Sequence, residues 1–280
     1  MRVACVQVAA VDGEIDANRA RALRLTEQAL ASSPDLVILP ELVTTGYCTD
    51  DYSTVAEHSE GPTVRAFAEL AASSGACIAV GLVTVTASGR PQNGSVVIGP
   101  RGVIGTYAKS HMCVNDDPRV DESTAFARGE TLGLFDLAGL RIGVMICYDG
   151  QHGELPVALV ARGADLLIWL NNRTSMPVWE AAAIARFNRV PVAAVNRVGE
   201  AGWQPAGAPP RVFSGVSAIV DHEGETIAAA HGGEETVVIG DVDIEAGRRR
   251  RDSHVLNTLQ SRRPDLYALA WAATPRVPPH

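Results

Sequence analysis

The apolar positions of this chain fall into short runs that are separated by segments with helical periodicity. The run 36–39 is wholly apolar, as is typical of a strand buried on both faces, and from Val64 apolar residues recur at i, i+3, i+4 and i+7, as in a helix. The same criteria predict strands over 3–8, 77–86, 94–99, 103–107, 140–147, 164–170, 191–197 and 235–243, helices over 18–31, 154–162 and 177–189, and a hairpin with arms at 212–221 and 225–231. This alternation of strands and helices indicates a layered α/β fold.

The composition is compatible with one large domain. The chain has 280 residues, of which 46% are hydrophobic and 20% charged, and this balance excludes global disorder. Layered α/β folds reach this length as one domain, and the sequence contains no internal repeat and no obvious linker. We therefore predict a single domain over residues 1–250 and a C-terminal extension over residues 251–280.

The charge distribution argues against nucleic-acid and membrane partners. The formal net charge is −8 and the pI is near 5.4, so the overall charge favours neither a nucleic-acid groove nor an anionic membrane. No apolar stretch approaches the roughly 18 residues needed to span a bilayer. The basic cluster 248–251 is more typical of a solvated face than of a phosphate site.

The cysteines indicate a reducing compartment. They are odd in number, widely spaced and without a CxxC pair: Cys5, Cys48, Cys77, Cys113 and Cys147. This pattern argues against a disulfide framework, a zinc ribbon and a thiol redox protein, and a cytoplasmic location is the expectation.

Three residues with chemical potential follow predicted strands. Glu41 comes directly after a buried strand, Lys109 lies just past another, and Cys147 ends the apolar strand 142–146 before a helix. Sites of α/β folds are built beyond the carboxyl ends of strands, and helix amides at such an elbow favour a thiolate. Taken singly, each has an ordinary alternative: a loop acid, a surface lysine and a small buried apolar residue. His111, beside Cys113, is interpreted as a surface or supporting residue.

Together these segments resemble the nitrilase, or carbon–nitrogen hydrolase, superfamily, in its amidase and carbamoylase-like branch. The segments 39–41, 107–111 and 146–149 contain glutamate, lysine and cysteine in the order of that family, 68 and 38 residues apart. Further matching segments are 92–98, 163–165, 213–217, 221–224 and 262–267. The resemblance thus covers most of the chain.

The resemblance implies a role for each residue of the triad. Cys147 corresponds to the nucleophile, Glu41 to the general base and Lys109 to the group that stabilises the tetrahedral intermediate. The backbone N–H of Tyr148 is expected to assist as an oxyanion donor. Glu122 corresponds to a second glutamate that supports the lysine and orients the substrate.

The identity of this second glutamate is less sharply defined than the triad. The stretch 113–121 is poorer in aromatic residues than in many relatives, so Asp121 and Glu130 compete with Glu122 for the role.

The resemblance also implies the architecture and the assembly. Members of the superfamily form a four-layer αββα sandwich, with two sheets face to face and helices outside. They pair through an outer helical face, so we expect a homodimer or a higher homo-oligomer, with residues 251–280 at the interface. No cofactor and no metal ion are implied.

The implied activity is hydrolysis of the carbon–nitrogen bond of a small amide through a cysteine thioester, with release of ammonia. Nitrile-cleaving members typically have Cys-Trp-Glu, whereas this chain has Cys147-Tyr148-Asp149. Carboxamides therefore rank first as substrates, N-carbamoyl (ureido) compounds second and nitriles third. A binding protein that has kept the fold and lost the chemistry is the remaining alternative.

Two further residues are candidates for substrate binding. Asn172 and Arg173 follow the strand 164–170, and the planar fork of Arg173 suits a carboxylate of the substrate, unless it is an ordinary surface arginine. Trp169 and Trp203 are compatible either with core packing or with an apolar pocket wall. The loops expected to set specificity are 171–180 and 199–212.

Overall fold

The computed structural model describes residues 1–48, 51–115, 121–137, 139–202, 211–253, 255 and 257–273. The strands are β1 Arg2–Gln7, β2 Leu36–Ile38, β3 Cys77–Val85, β4 Pro91–Gly99, β5 Gly102–Ala108, β6 Gly133–Leu137, β7 Leu140–Ile146, β8 Leu166–Leu170, β9 Val192–Val195, β10 Val198–Glu200, β11 Val212–Ser214, β12 Ala218–Val220, β13 Thr226–Ala229 and β14 Thr236–Asp241. The helices are α1 Ile15–Leu30, α2 Pro62–Ser74, α3 Glu122–Ala125, α4 Glu154–Ala161, α5 Val178–Asn188, α6 Ile244–Asp252 and α7 Pro264–Ala273. Within these ranges no helix is long and apolar enough to cross a bilayer.

The described strands form two six-stranded sheets and one small ribbon. The first sheet has the order β14-β1-β2-β3-β4-β5 and the second the order β13-β12-β9-β8-β7-β6, while β10 pairs with β11 alone. Three consecutive strands of each sheet, β1-β2-β3 and β9-β8-β7, are parallel, and the other pairings within these two sheets are antiparallel. The two sheets therefore have the same plan, with a parallel centre whose strand ends can carry a site.

Four layers follow from where the apolar side chains point. Ile38 of β2 and Ile146 of β7 belong to a core that lies between the two sheets. Val37 alternates to the other face of its sheet, where it packs in a second core with α1 and α2. A third core lies between the second sheet and helices α4 and α5. The predicted αββα sandwich is confirmed.

The predicted hairpin arm 212–221 is wrong in detail. Gly215 and Val216 have φ angles of 65° and 62°, and two successive left-handed residues cannot continue a strand. The chain therefore divides into β11, which pairs with β10, and β12, which pairs with β9 and β13. A short apolar run in the sequence does not show whether all its residues pair with the same neighbouring strand.

Three of the four arginines in the basic cluster do not form a solvated face, contrary to the prediction, and only Arg249 of the four is exposed. Arg248 Nη2 lies 2.6 Å from Asp165 Oδ2, and Arg251 Nη2 lies 2.9 Å from Asp165 Oδ1. Arg250 Nε lies 3.2 Å from Glu223 Oε1. These pairs hold helix α6 against the second sheet, and α6 runs across the predicted boundary between residues 250 and 251.

Candidate active site

Glu41 is placed by the tight contact between the end of β2 and strand β3. The N–H of Leu39 donates to the carbonyl of Ala79 (2.9 Å), and the N–H of Val43 donates to the carbonyl of Gly81 (2.9 Å). A Cβ atom on Gly81 would lie 2.3 Å from the Pro40 oxygen. Only glycine therefore lets the chain lie this close to β3, and Glu41 is turned into the interior, where it is fully buried.

Lys109 is equally buried and is anchored through its backbone. Its N–H donates to the carbonyl of Asn93 (2.8 Å), and its own carbonyl accepts from the N–H of Gly129 (2.8 Å). The first bond extends the β4–β5 pairing past the end of β5. The second attaches the segment that contains Glu122, so both residues are fixed to one framework.

A cluster of five polar side chains results, of which four are buried and the fifth, Tyr47, is partly buried. Lys109 Nζ lies 2.9 Å from Glu41 Oε1 and 2.8 Å from Glu122 Oε1. Asn93 Nδ2 donates to the same two oxygens, at 2.7 Å each, and the Tyr47 hydroxyl donates to them at 3.3 and 3.0 Å. Each carboxylate is thus stabilised by one cation and two neutral donors.

Of the three acids that compete for the second glutamate position, Glu122 is the one that enters this cluster. Its Oε2 also accepts from the N–H of Cys113 (2.8 Å). Asp121 instead caps α3 by accepting from the N–H of Ser123 (3.1 Å). Glu130 is exposed at the surface.

The burial of this cluster determines its protonation states. Loss of hydration works against the charge of Lys109, but the nearby carboxylates of Glu41 and Glu122 favour it, and the pKa of Lys109 is raised well above its usual value, so Lys109 stays protonated. For Glu41, burial and the neighbouring Glu122 raise the pKa despite the attraction of Lys109. Lys109 is therefore a fixed positive charge, and Glu41 is a stronger base than an exposed glutamate.

Cys147 lies at a strained elbow between β7 and the 3₁₀ turn Cys147–Gln151. Its φ angle of 47° is unusual for a residue with a Cβ atom, and such strain is concentrated at functional sites. The indole Nε1 of Trp169 donates to the Cys147 carbonyl (2.8 Å), which fixes the elbow from below. Tyr148 is the second residue of the turn, where backbone N–H groups have no intrahelical acceptor.

The Cys147 thiol is protonated at rest, and not a thiolate as its position before a helix suggested. Burial is the main cause that raises its pKa well above the usual value, and the Glu41 carboxylate adds to it, while Lys109 acts in the opposite direction. A thiol in this state can act as a nucleophile only after a base has taken its proton.

Asp149 holds the elbow against the lysine loop. Its carboxylate accepts from the Tyr107 hydroxyl (2.8 Å), the N–H of Ile146 (3.0 Å), the N–H of His111 (3.0 Å) and Ser110 Oγ (3.1 Å), and lies 2.8 Å from His111 Nδ1. Burial works to raise the pKa of Asp149, but these hydrogen bonds outweigh it and lower the pKa. Asp149 therefore remains ionised and connects the end of β7 to the segment after Lys109.

An open cavity of about 410 Å³ leads to the cysteine. Cys147 and Tyr148 line it together with Tyr47, Phe213 and Asn172. It can hold a small molecule next to the thiol. Across the described parts of the chain, no three His, Cys, Asp or Glu side chains are grouped to hold a metal ion.

The two candidate substrate-binding residues also line this cavity. Arg173 Nη1 and Nη2 lie 2.5 and 3.1 Å from the two carboxylate oxygens of Glu180, so its planar fork is already occupied. Asn172 accepts from Arg197 Nη1 through Oδ1 (3.4 Å). Trp169 is fully buried, which makes it core packing rather than a pocket wall, and Trp203 lies outside the described residues.

Two polar residues at the site have functions that the sequence analysis did not assign. Asn93, included there only as part of a matching segment, is a completely buried amide on strand β4, and such an amide requires polar partners. That is the signal that could have identified it. Tyr47 offers no such signal, because its contact with Glu122 joins residues 75 positions apart.

The αββα sandwich and the grouping of a glutamate, a lysine and a cysteine at one site define the class of this protein, and the comparison with known proteins agrees with it. Residues 2–252 match the carbon-nitrogen hydrolase family. The chain belongs to that family.

Several relatives span nearly the whole chain. It is 32% identical to a nitrilase from Pyrococcus abyssi, over 95% of this chain and 99% of the relative. It is 30% identical to the omega-amidase NIT2 of Danio rerio, over 92% and 98% of the two chains. A crystal structure of a carbon-nitrogen hydrolase from Helicobacter pylori shares the fold, with a TM-score of 0.85 and 24% identity over 97% of this chain and 98% of that chain.

Proposed function

We propose that this protein hydrolyses the carbon–nitrogen bond of a small carboxamide through a thioester on Cys147 and releases ammonia. One observation carries the proposal. Glu41 Oε1 accepts from Lys109, Asn93 and Tyr47, whereas Oε2 is buried and has no hydrogen-bond donor among the described residues. The carboxylate interacts with the Cys147 thiol, so this second oxygen is available for the proton of the thiol.

In the first half of the reaction, Glu41 accepts the thiol proton while Cys147 Sγ attacks the amide carbon. The carbonyl oxygen becomes negative, and the Lys109 ammonium and the N–H of Tyr148 stabilise it. Glu41 then gives its proton to the amide nitrogen, the carbon–nitrogen bond breaks, and ammonia leaves. The product is a thioester on Cys147.

In the second half, Glu41 is again a carboxylate and accepts a proton from water. The hydroxide attacks the thioester carbon, the same two donors stabilise the oxyanion, and the carbon–sulfur bond breaks. The thiolate recovers the proton from Glu41, and the carboxylic acid leaves. Glu122 touches Lys109 and not the thiol, so its role is to hold the ammonium in place.

The substrate class can be tested with a panel of carboxamides, ureido acids and nitriles, with ammonia release as the measurement. We expect the carboxamides to give the highest kcat/KM. Higher kcat/KM with ureido acids, accompanied by carbon dioxide release, would assign the carbamoyl branch instead. Higher kcat/KM with nitriles would assign a nitrilase.

The nucleophile is tested by Cys147→Ala, for which Cys113→Ala is the matched control because Cys113 lines the same cavity. We expect Cys147→Ala to lose turnover by at least about 1,000-fold, since the thioester can no longer form. The control should retain turnover. Mass spectrometry of the parent enzyme during turnover should find the acyl group on Cys147. Full activity in Cys147→Ala would disprove the covalent mechanism.

A further inference from the structure

Two arginines at the wall of the cavity or behind it, Arg173 and Arg197, are held in ion pairs with carboxylates. Arg173 faces Glu180 with both terminal nitrogens, and Arg173 also lies over the buried Trp169 ring, at 5.4 Å from Cζ to the ring centre. The side chains of Arg173 and Glu180 are only 15% and 19% exposed. A carboxylate that approached Arg173 would have to displace a pair that is already well formed and partly dehydrated.

The second pair is deeper. Arg197 Nη1 lies 2.7 Å from Asp12 Oδ1, and both side chains are almost completely buried. The guanidinium packs 4.0 Å from the centre of the Phe213 ring. Asp12 also accepts from the N–H of Gly202 (2.9 Å). Together the two pairs contribute no net charge to the wall.

Between the pairs lies an unused neutral donor. The Oδ1 atom of Asn172 is directed at Arg197 Nη1 (3.4 Å), which turns Nδ2 away from that pair. Nδ2 is buried and has no acceptor among the residues that the structure describes, although Asn172 lines the cavity. A buried donor without an acceptor is costly, and a bound ligand can supply the missing oxygen.

We infer that Glu180 sets the acyl specificity by occupying the fork of Arg173, so that the pocket selects amides whose acyl chain is uncharged and carries an acceptor oxygen for Asn172 Nδ2. This inference rests on the proposed amidase function and names its substrate class. A free carboxylate would bring an additional negative charge next to Asp12 and Glu180, and neither Arg173 nor Arg197 would be released to meet it. A hydroxyl or neutral carbonyl oxygen meets Asn172 without that cost.

The test compares two amides with the same acyl chain. The monoamide of a dicarboxylic acid is the charged substrate, and its methyl ester is the neutral one. We expect the parent enzyme to have a kcat/KM about tenfold higher for the neutral amide. In Glu180→Gln, which keeps the size of the side chain and removes its charge, Arg173 becomes available. We expect the ratio of kcat/KM for the neutral amide to kcat/KM for the charged amide to fall by about tenfold in this variant. The main cause should be a lower KM for the charged amide, and a factor of this size corresponds to one charge-assisted hydrogen bond.

Two variants make the result specific. Arg173→Met combined with Glu180→Gln should restore the preference for the neutral amide, since the released cation is then gone. Asp136→Asn breaks an exposed two-point pair with Arg141 (2.7 and 3.1 Å) away from the cavity, and it should leave the ratio as in the parent. Thermal unfolding shows whether each variant is folded. If Glu180→Gln is not folded, Glu180→Ala replaces it.

Different results would overturn the inference about Glu180 and the proposed amidase function. A parent enzyme that prefers the charged amide, or a Glu180→Gln variant with an unchanged ratio, would overturn the inference alone. If the preference for the charged amide disappears in Arg211→Gln, the carboxylate receptor is Arg211, which also lines the cavity. If neither amide releases ammonia, the proposed function fails, and calorimetric binding of both amides to Cys147→Ala still decides the preference.

Discussion

At the scale of single residues, the site depends on an asymmetry within one carboxylate. Three donors contact Glu41 Oε1, whereas Oε2 has no donor in the part of the chain that the structure describes. The first oxygen holds the side chain in position, and in the proposed mechanism the second accepts the proton. A buried carboxylate that was bonded evenly would be a weaker base, since every donor stabilises the charged form.

This asymmetry leads to a prediction for Glu41→Gln. The amide oxygen can take the place of Oε1 and the amide nitrogen that of Oε2, so the three hydrogen bonds to Oε1 are kept. Burial raises the pKa of Glu41 in the folded state, so at neutral pH the folded protein bears a cost of ionisation that glutamine removes. We expect a variant that is inactive and has a higher Tm than the parent at pH 8.

The raised pKa of Glu41 also determines how the gain in Tm depends on pH. A raised folded-state pKa means that the folded protein binds the proton more tightly than the unfolded chain, so ionised Glu41 costs stability as the pH rises. The gain in Tm should be full above the raised pKa and should vanish as the pH falls towards about 4.3, the ordinary glutamate value. Scanning calorimetry from pH 4 to 8 measures it. A variant with a lower Tm than the parent at pH 8 would show that Glu41 stabilises the fold as an ion pair.

At the scale of elements, the elbow after β7 depends on a contact that leaves no room for a methyl group. A Cβ atom on Gly150 would lie 2.4 Å from ring atoms of Trp169. The same indole donates to the Cys147 carbonyl (2.8 Å). The 3₁₀ turn, the indole and Cys147 are therefore positioned together.

We expect Gly150→Ala to push the indole away and to lower the free energy of unfolding by about 2 kcal/mol. It should also lower kcat by up to about 100-fold, because the nucleophile moves with the elbow. Urea unfolding and steady-state kinetics measure the two effects. The control is Gly153→Ala, where an added Cβ meets no atom within 4 Å; its stability should stay within about 0.5 kcal/mol of the parent. Equal effects of the two substitutions would contradict the argument.

At the scale of the whole molecule, the two sheets pack face to face and the helices cover their outer faces, yet two helices still expose large apolar side chains. Trp179 and Phe187 of α5 are 67% and 73% exposed, and Leu269 of α7 is 70% exposed. Exposed apolar surface of this kind is typical of an interaction face. It is compatible with the homo-oligomer that the resemblance implies.

We therefore expect the protein to sediment as a dimer or a larger oligomer. Trp179→Glu combined with Phe187→Glu should shift it towards the monomer, because two charges would be buried in the interface. Analytical ultracentrifugation measures the change. Ile227→Glu, at an exposed apolar residue on strand β13, is the control and should leave the assembly intact. A parent protein that is a monomer at all concentrations would contradict the prediction.

The sequence by itself determined the layered architecture and the chemistry available at the strand ends. The apolar runs of β2 and β7 predicted buried strands because burial on both faces requires apolar residues at every position. Glu41, Lys109 and Cys147 were visible because they interrupt or follow such runs. These are local patterns, and local patterns survive in a one-dimensional description.

Only the tertiary structure decided how distant residues pair. The occupation of Arg173 by Glu180, the donation from Tyr47 to Glu122 and the attachment of the lysine loop through Asp149 all depend on side chains brought together by the packing of sheets, loops and helices. The protonation of Cys147 likewise depends on burial and on Glu41, 106 positions away. Periodicity reports which face of an element is apolar, but it contains no information on which polar groups meet once those faces are buried.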